Sequence, residues 1–458
     1  QVVDAASIKK HLGETMETEQ LLHTRKCAWN LFPEGMGSFC WEVCSASDLS
    51  QFRTVCTADA KLFQPVLVRA LQDQLREDKL RTRAFDRERR LAVTALGKLR
   101  QAALPALPEL RRALRDGDRC LRELAASTLG QIGEQAFECV PELVNCLADD
   151  AMVRIAALDA LGKLGAEASV AVPRIADLLS EDSQPIRHAA VQVLGKLALS
   201  VQDKAVIPAV VIVPIVPHLI TALEDDDWGV RLAGASAICN ILENTCSILR
   251  FEVARLCVPG LVAALADEDE DVRAAVVAGL GASGQAAAPA VKKLASVLAD
   301  PDWDVRAAAL HSLQRIGRPV ESAEGDITKL LAHEHWGVRE AAATALGALG
   351  ELKLPSVLAL VEALTDQFVC VRTAAAKSIG KHPERAAMVM PTILKLLMHE
   401  HLGVRCTAAD ALGALGPAAG DAASALEERA SGDVDCSVRE AAAAALERCA
   451  GKQRTAAG

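Results

Sequence analysis

The chain has 458 residues, 51% of them hydrophobic, and carries 50 Lys and Arg against 60 Asp and Glu, for a formal net charge of −10. This apolar content excludes a disordered chain, which would lack the apolar area needed to offset its conformational entropy. The net acidity disfavours a general DNA- or RNA-binding protein, because such proteins gain affinity by neutralising phosphates with Lys and Arg. We therefore expect a folded protein that does not bind nucleic acid.

No apolar run reaches the length of about 18 residues that a membrane helix requires. The nearest candidate, 205–217, is interrupted by Pro208 and Pro214. The 14 cysteines are scattered, mostly among Ala and Leu in helical patterns, where Cys behaves as a small buried hydrophobe. This pattern predicts no transmembrane segment and a reducing intracellular compartment, with the cytoplasm favoured. An organelle remains an alternative, because the chain starts at Gln1 and a removed targeting segment would not be visible.

The first 60 residues do not share the pattern that follows and predict a separate segment at 1–60. We favour a cap over a docking arm, because an uncapped repeat array exposes apolar surface at its end. The aromatic side chains of this segment are Trp29, Phe32, Phe39, Trp41 and Phe52. Its cysteines are Cys27, Cys40, Cys44 and Cys56. They lack the paired Cys-x2-Cys spacing of zinc sites, so buried thiols are the favoured interpretation.

From residue 61 to residue 450 the chain repeats a unit of about 33 residues. Each unit contains an Arg followed by an apolar helical pattern, seen most clearly in Val-Arg-Glu-Ala-Ala-Ala-Thr-Ala-Leu-Gly at 338–347. The arginines are Arg89, Arg122, Arg154, Arg187, Arg231, Arg273, Arg306, Arg339, Arg372, Arg405 and Arg439. Recurrence at a fixed period is typical of stacked repeats, which share one continuous core. We predict an all-α fold, an α-solenoid of about eleven two-helix repeats over 61–450, followed by a polar tail at 451–458.

Each unit is predicted to form two helices. The first often begins at a Pro, such as Pro141, Pro217 or Pro259, because the missing N–H of Pro suits the first turn of a helix. An acidic loop follows, and its carboxylates are placed to cap the second helix and to interact with its dipole. The second helix contains the Arg and runs toward a Gly suited to ending it, such as Gly130 or Gly413.

Two units are longer than the others. Insertions are predicted near 198–217 and 244–253, where the arginine spacing exceeds that of the other units. Insertions in solenoids often form a binding surface. A lengthened helix is an equally plausible interpretation of both.

The pattern Asp-x-x-x-Val-Arg-x-x-Ala-x-x-Ala-Leu-Gly-x-Leu-Gly, clearest at 300–317 and 332–350, resembles HEAT repeats in the short form found in phycobilin lyases and deoxyhypusine hydroxylase. The resemblance implies a helical solenoid but no particular function, because this repeat serves many unrelated tasks. It also implies that Asp and Arg form a ladder of hydrogen bonds between adjacent units. The pairs would be drawn from Asp150/Arg154, Asp182/Arg187, Asp227/Arg231, Asp304/Arg306, Asp366/Arg372 and Asp435/Arg439.

Two sets of residues are candidates for binding a partner. The first lies one, five or nine residues after the repeated Arg, a spacing that places side chains on one face of the second helices. The candidates in this set are His188, Gln192, His311, Arg315, Glu340, Lys377 and Lys381. The second set is a ridge of loop aromatics three residues before the Arg, formed by Trp228, Trp303 and Trp336. The alternatives are an ordinary solvated face for the first set, and tryptophans that pack over a neighbouring loop for the second.

Histidines raise the question of a metal. His333-Glu334-His335 and His399-Glu400-His401 recur in equivalent loops, and His with carboxylate can bind iron or zinc. Deoxyhypusine hydroxylase, however, carries its iron on His-Glu pairs directly after the repeated Arg, and the corresponding positions here read Arg187-His188-Ala189 and Arg339-Glu340-Ala341. We therefore expect no metal and no cofactor.

The favoured function is a non-catalytic scaffold or subunit of a larger assembly, which binds protein partners along the helix face and the loop ridge. We expect no enzymatic activity. The alternative is a HEAT-repeat protein-modifying enzyme or accessory, resembling deoxyhypusine hydroxylase or the phycobilin lyases. A third hypothesis, a nuclear-transport-type adaptor, predicts binding of basic peptides through the acidic loops.

Overall fold

The computed structural model describes residues 83–200 and 208–450, with a few further positions between 68 and 75. In these residues the chain forms α-helices and short 3-10 helices and no strand. The predicted segment 1–60 with its cysteines, and the tail 451–458, lie outside the described residues. The chain divides into two compact units, Gln1–Leu178 and Leu179–Gly458.

The helices of the first unit alternate between longer and shorter ones, as the two-helix repeat predicts. In chain order they are α1 (Arg83–Leu99), α2 (Leu107–Ala113), α3 (Arg119–Ile132), α4 (Val140–Cys146), α5 (Ala151–Leu164) and α6 (Val172–Asp177). The odd-numbered helices are the second helices of their repeats, and α3 packs against both α1 and α5.

The second unit is also built of first and second helices. Its helices are α7 (Gln184–Ser200), α8 (Pro208–Thr221), α9 (Trp228–Asn244), α10 (Ser247–Ala263), α11 (Glu270–Ala282), α12 (Val291–Ser296), α13 (Trp303–Ile316), α14 (Glu324–Leu330), α15 (Trp336–Leu346), α16 (Leu354–Ala363), α17 (Val369–Gly380), α18 (Pro383–Ala387), α19 (Met390–Leu396), α20 (Leu402–Leu415), α21 (Ala423–Gly432) and α22 (Cys436–Cys449). Two of its first helices, α8 and α10, are long, and one repeat has two short helices, α18 and α19. The second helices are α7, α9, α11, α13, α15, α17, α20 and α22, and each packs against the next. The predicted all-α solenoid of stacked helix pairs is confirmed.

At Gly130 and Gly413 the repeated Gly allows close packing rather than ending the second helix, so the prediction was wrong there, whereas α15 ends at its C-cap residue Gly347 and α17 ends at Gly380. Helix α3 continues past Gly130, where an added Cβ would lie 2.9 Å from the Cα atom of Ala160. Gly413 is equally close to Ala445 of the next second helix. The glycines that follow three residues later, such as Gly133 and Gly416, have positive φ values of 83° and 60° and end the helices.

The first helices begin at Pro in only some repeats. Pro141 and Pro173 lie in the first turns of α4 and α6, as predicted. Pro217 and Pro259 instead lie inside α8 and α10, which have 14 and 17 residues. At 208–217 and 247–253, within the two predicted insertions, the chain is therefore part of a lengthened first helix, whereas 198–200 forms the end of α7.

Carboxylates in the loops cap the second helices, as predicted. Asp227 accepts a hydrogen bond from the Val230 amide at 3.0 Å, and Asp302 accepts one from Val305 at 3.0 Å. These cap residues are two positions beyond the carboxylates that pair with arginine. The expected assignment of Asp227 to Arg231 was therefore wrong.

The arginine ladder connects several of the repeats to the following one. Arg231 donates from Nε to Asp267 at 2.7 Å and from Nη2 at 3.0 Å, forming a two-point pair with an aspartate six residues before the next repeated Arg. The corresponding pairs, here called ladder pairs with that of Arg231 and Asp267, are Arg89–Asp116 (through Nη2), Arg122–Asp149 (with the aspartate five residues before Arg154), Arg187–Asp225, Arg273–Asp300, Arg339–Asp366 and Arg405–Asp433. In the last of these, the hydrogen bond from Arg405 lowers the pKa of Asp433 below its ordinary value.

Candidate protein-interaction surface

A groove of about 490 Å³ lies between α7 and α9, in the second unit. The two helices approach closely at Gly195, where an added Cβ would lie only 2.9 Å from the Cβ atom of Ala237. The groove is lined by His188, Gln192, Gly195, Lys196, Leu199, Trp228, Gly229, Leu232, Ala233, Ser236, Ala237 and Asn240.

The polar side chains of the groove come from the exposed face of each helix. On α7, His188, Gln192 and Lys196 are four residues apart and share one face, while Ala190 and Leu194 face the core. The nearest nitrogens of His188 and Gln192 are 3.4 Å apart. The groove contains hydrogen-bonding groups and one cation, Lys196, and its lining includes no carboxylate.

Trp228 connects the predicted helix face with the predicted loop ridge. It is the first residue of α9, directly after the cap residue Asp227. Gln184 at the start of α7 donates to Asp227 at 3.0 Å, so the side chains of both helices fix this loop. The Trp228 side chain remains 52% exposed at the edge of the groove. A large aromatic surface in this position is available to a partner.

The structure brings together three of the ten candidate residues, His188, Gln192 and Trp228. His311 and Arg315 are exposed on α13, where Arg315 pairs with Glu243 at 2.8 Å. Glu340 is half-buried on α15, and Lys377 and Lys381 are exposed at and just beyond the end of α17. These residues do not line the groove.

Two groove residues illustrate what sequence analysis missed. Leu232 directly follows Arg231 and therefore satisfies the spacing rule for the exposed face, but its apolar character removed it from consideration. Leu199 follows no such rule and enters the groove because α7 continues to Ser200.

The loop ridge is exposed at each predicted tryptophan, although one of them also packs against its neighbour. Trp303 is 63% exposed and Trp336 is 36% exposed. The Trp336 ring stacks on Phe368 of the following loop, with ring centroids 5.8 Å apart. Arg339 lies 5.8 Å from the centre of the same Phe368 ring. The packing interpretation thus holds in part for Trp336.

The His-Glu-His loops cap helices. The Nδ1 atom of His335 accepts a hydrogen bond from the Gly337 amide at 3.1 Å, and His401 does the same for Gly403. Among the residues that the structure describes, no three His, Cys, Asp or Glu side chains form a group suited to holding a metal. None of the described helices is long and apolar enough to cross a membrane.

This architecture of stacked helix pairs defines an α-solenoid, and the sequence assigns it to a family. The family model described as HEAT repeats matches residues 108–195, 258–323, 291–366 and 357–447, and a second HEAT repeat model matches 215–245. These matches cover more than half of the chain, which therefore belongs to the HEAT-repeat family. No curated protein sequence matches it.

Solved structures with the same fold include importin beta and related proteins. Importin beta, crystallised in a polyethylene glycol condition, is 15% identical with a TM-score of 0.57, and the match covers 91% of this chain and 64% of that one. The Kap95:Nup1 complex is 15% identical with a TM-score of 0.55, covering 89% and 59%. The karyopherin Kap121p, bound to the extreme C-terminus of the protein phosphatase Cdc14p, is 14% identical with a TM-score of 0.53, covering 91% and 53%. The chain thus spans less than two thirds of the length of these proteins.

Proposed function

We propose that this protein is a non-catalytic scaffold, or a subunit of a larger assembly, that binds a protein partner in the groove between α7 and α9. The observation that carries the proposal is the meeting of His188, Gln192 and Trp228 in one groove. The sequence pattern selected these residues independently, from the helix face and from the loop ridge.

The composition of the groove supports binding rather than catalysis. Ala233, Ala237 and Leu232 supply an apolar floor, and polar groups on both helices can fix the orientation of an inserted side chain. Exposed Trp228 at the edge is a residue type enriched among the strongest contacts of protein interfaces. Two neighbours of the same fold, Kap95 and Kap121p, were solved with protein partners, and this supports a protein as the occupant.

We also propose a reducing compartment, with the cytoplasm favoured. The ten described cysteines are all free thiols. Burial raises the pKa of Cys139 and of Cys257 to about 12, so these two thiols are unreactive core side chains rather than redox groups.

Affinity capture with matched variants tests the proposal. Trp228→Ala together with Lys196→Glu removes the aromatic edge and reverses the charge of the groove, and we expect at least a tenfold loss of one or more captured proteins. The control is Ile248→Ala, because Ile248 is 81% exposed on α10 and outside the groove. A captured set that is the same for wild type and for the groove variant would contradict the proposal.

A further inference from the structure

The arginine ladder lacks its carboxylate at two places within the second unit. Six residues before a repeated Arg, six repeats have an aspartate that pairs with the Arg of the preceding repeat, whereas His333 and His399 stand at this position. The backbone confirms the equivalence, since the carbonyl of His333 accepts from Nη1 of Arg339 just as the carbonyl of Asp300 accepts from Arg306. The imidazole also takes the second role of the aspartate, because Nδ1 of His333 accepts from the His335 amide at 3.1 Å.

The ladder arginines of the preceding repeats, Arg306 and Arg372, are buried and only half paired. Arg306 and Arg372 are each 6% exposed. The hydrogen bonds of Arg372 come from Nη1 and end on the carbonyls of Asp366 and Gln367, and its buried Nε has no partner. In the ladder pair of Arg231, by contrast, Nε and Nη2 hold the carboxylate of Asp267. A buried cation with unused donors strongly favours a carboxylate brought from outside.

Each of the two arginines comes close to a glycine that directly follows an exposed apolar residue. The guanidinium of Arg306 reaches Gly337, directly after Trp336, and that of Arg372 reaches Gly403, directly after Leu402. Trp336, Phe368 and Leu402 are 36%, 38% and 46% exposed. The two cationic positions therefore lie on either side of an apolar stretch built from Trp336 and Phe368.

From this arrangement we infer that the loop edge around Arg306 and Arg372 binds an extended acidic segment of a partner protein. Packed helices lie about 10 Å apart, so positions two repeats apart are separated by about 20 Å. An extended chain rises about 3.3 Å per residue, so about six residues join two carboxylates that reach the two arginines. An apolar residue midway would contact Trp336 and Phe368.

Each incoming carboxylate replaces an imidazole that is lightly held. The bond from the His335 amide to His333, and the equivalent bond to His399, are solvent-exposed. Moving a ring outward therefore gives up an exposed hydrogen bond and gains a charged one at a buried guanidinium. The exposed carboxylates of Glu334 and Glu400 repel an acidic chain, so affinity must come from the buried contacts.

A labelled synthetic peptide tests the inference on the full chain by fluorescence anisotropy. The peptide has two glutamates six residues apart and a leucine midway, and its control has two glutamines. We expect the wild-type protein to bind the glutamate peptide at least tenfold more tightly. Equal affinity for both peptides would overturn the inference.

Variants of the protein locate the site. His399→Asp supplies an internal carboxylate for Arg372, so we expect it to lower the affinity for the glutamate peptide at least tenfold. We expect the same loss of affinity for Arg372→Gln. Met398→Asp adds the same charge at the adjacent residue, which is 63% exposed, and should change affinity less than twofold. If His399→Asp and Met398→Asp bind the peptide equally, the inference is wrong even where Arg372→Gln does not fold.

The proposed acidic-segment site lies on a different surface from the groove. The inference rests on the proposed function in one respect, which is that the partner is a protein. Trp228→Ala should leave peptide affinity unchanged. If the peptide does not bind but protein capture still depends on the groove, the inference of an acidic segment is rejected and the proposed function is retained.

Discussion

Two regions of the arginine ladder, at Arg231 and at Arg372, have the same backbone arrangement and differ in the side chain that the next repeat supplies. At Arg231 the next repeat supplies Asp267, and both side chains of the pair are less than one tenth exposed. At Arg372 the next repeat supplies His399, which caps its own loop but brings no charge to the buried guanidinium. The comparison shows that a repeat can keep its geometry while the electrostatic compensation between repeats is lost.

The largest expected effect comes from removing the carboxylate of a complete ladder pair. Asp267→Ala leaves Arg231 buried without its partner, so we expect the free energy of unfolding to fall by about 3 kcal/mol. Urea unfolding measures this change. Glu268→Ala is the control, because Glu268 contacts the same Arg231 at 3.3 Å but is 86% exposed, and it should cost less than about 0.5 kcal/mol. Equal losses in the two variants would show that burial does not distinguish these partners.

Replacing the arginine separates the two regions in a second way. Arg231→Met strands the buried carboxylate of Asp267, whereas Arg372→Met removes a cation that has no carboxylate. Both variants lose similar bonds to loop carbonyls, so we expect Arg231→Met to be about 2 kcal/mol more destabilising. The reverse order in urea unfolding would contradict the comparison.

Restoring an aspartate should convert the incomplete region into the complete one. His399→Asp gives Nε and Nη2 of Arg372 a charged acceptor, and we expect a gain of about 1–2 kcal/mol in the free energy of unfolding. Met398→Asp adds the same charge outside the ladder and should stay within about 0.5 kcal/mol of wild type. A gain in Met398→Asp equal to that in His399→Asp would assign the effect to surface charge.

The smallest expected effect is a pH dependence from a buried histidine just beyond the end of α17. Burial lowers the pKa of His382, which is 7% exposed and 3.3 Å from the Leu346 carbonyl. Because the folded pKa is below the unfolded value of about 6.5, the unfolded chain binds the proton more readily, and this contribution to stability is lost as the pH falls below about 6.5. The urea midpoint of His382→Gln should change less between pH 7.5 and pH 5.5 than that of the wild-type protein. An unchanged pH dependence would exclude His382 as its source.

Sequence alone predicted the repeats, the alternation of helices and the carboxylate caps, because each depends on local spacing. It misassigned Gly130 and Gly413, since their role is visible only when the next second helix is in place. It likewise paired Asp227 with Arg231, because these residues are close in sequence, whereas packing places Arg231 against Asp267 of the next repeat and leaves Asp227 to cap the helix. The incomplete ladder corresponds to a difference in the sequence, as His333 and His399 stand six residues before a repeated Arg, where six other repeats have an aspartate.

The groove could be identified only from the structure. The spacing rule placed His188 and Gln192 on one helix face, but it treated Trp228 as part of a separate ridge. The distance between a helix face and the loop before its neighbour depends on how closely two helices approach, and Gly195 opposite Ala237 determines that approach here.

The most direct test of the proposed function is site-specific photo-crosslinking in cells. A crosslinking amino acid at Gln192, which is exposed in the groove, is compared with one at Leu358, which is 41% exposed on α16. We predict that position 192 captures a discrete protein that position 358 does not. The same crosslinked proteins from both positions, or none from position 192, would contradict a partner in the groove.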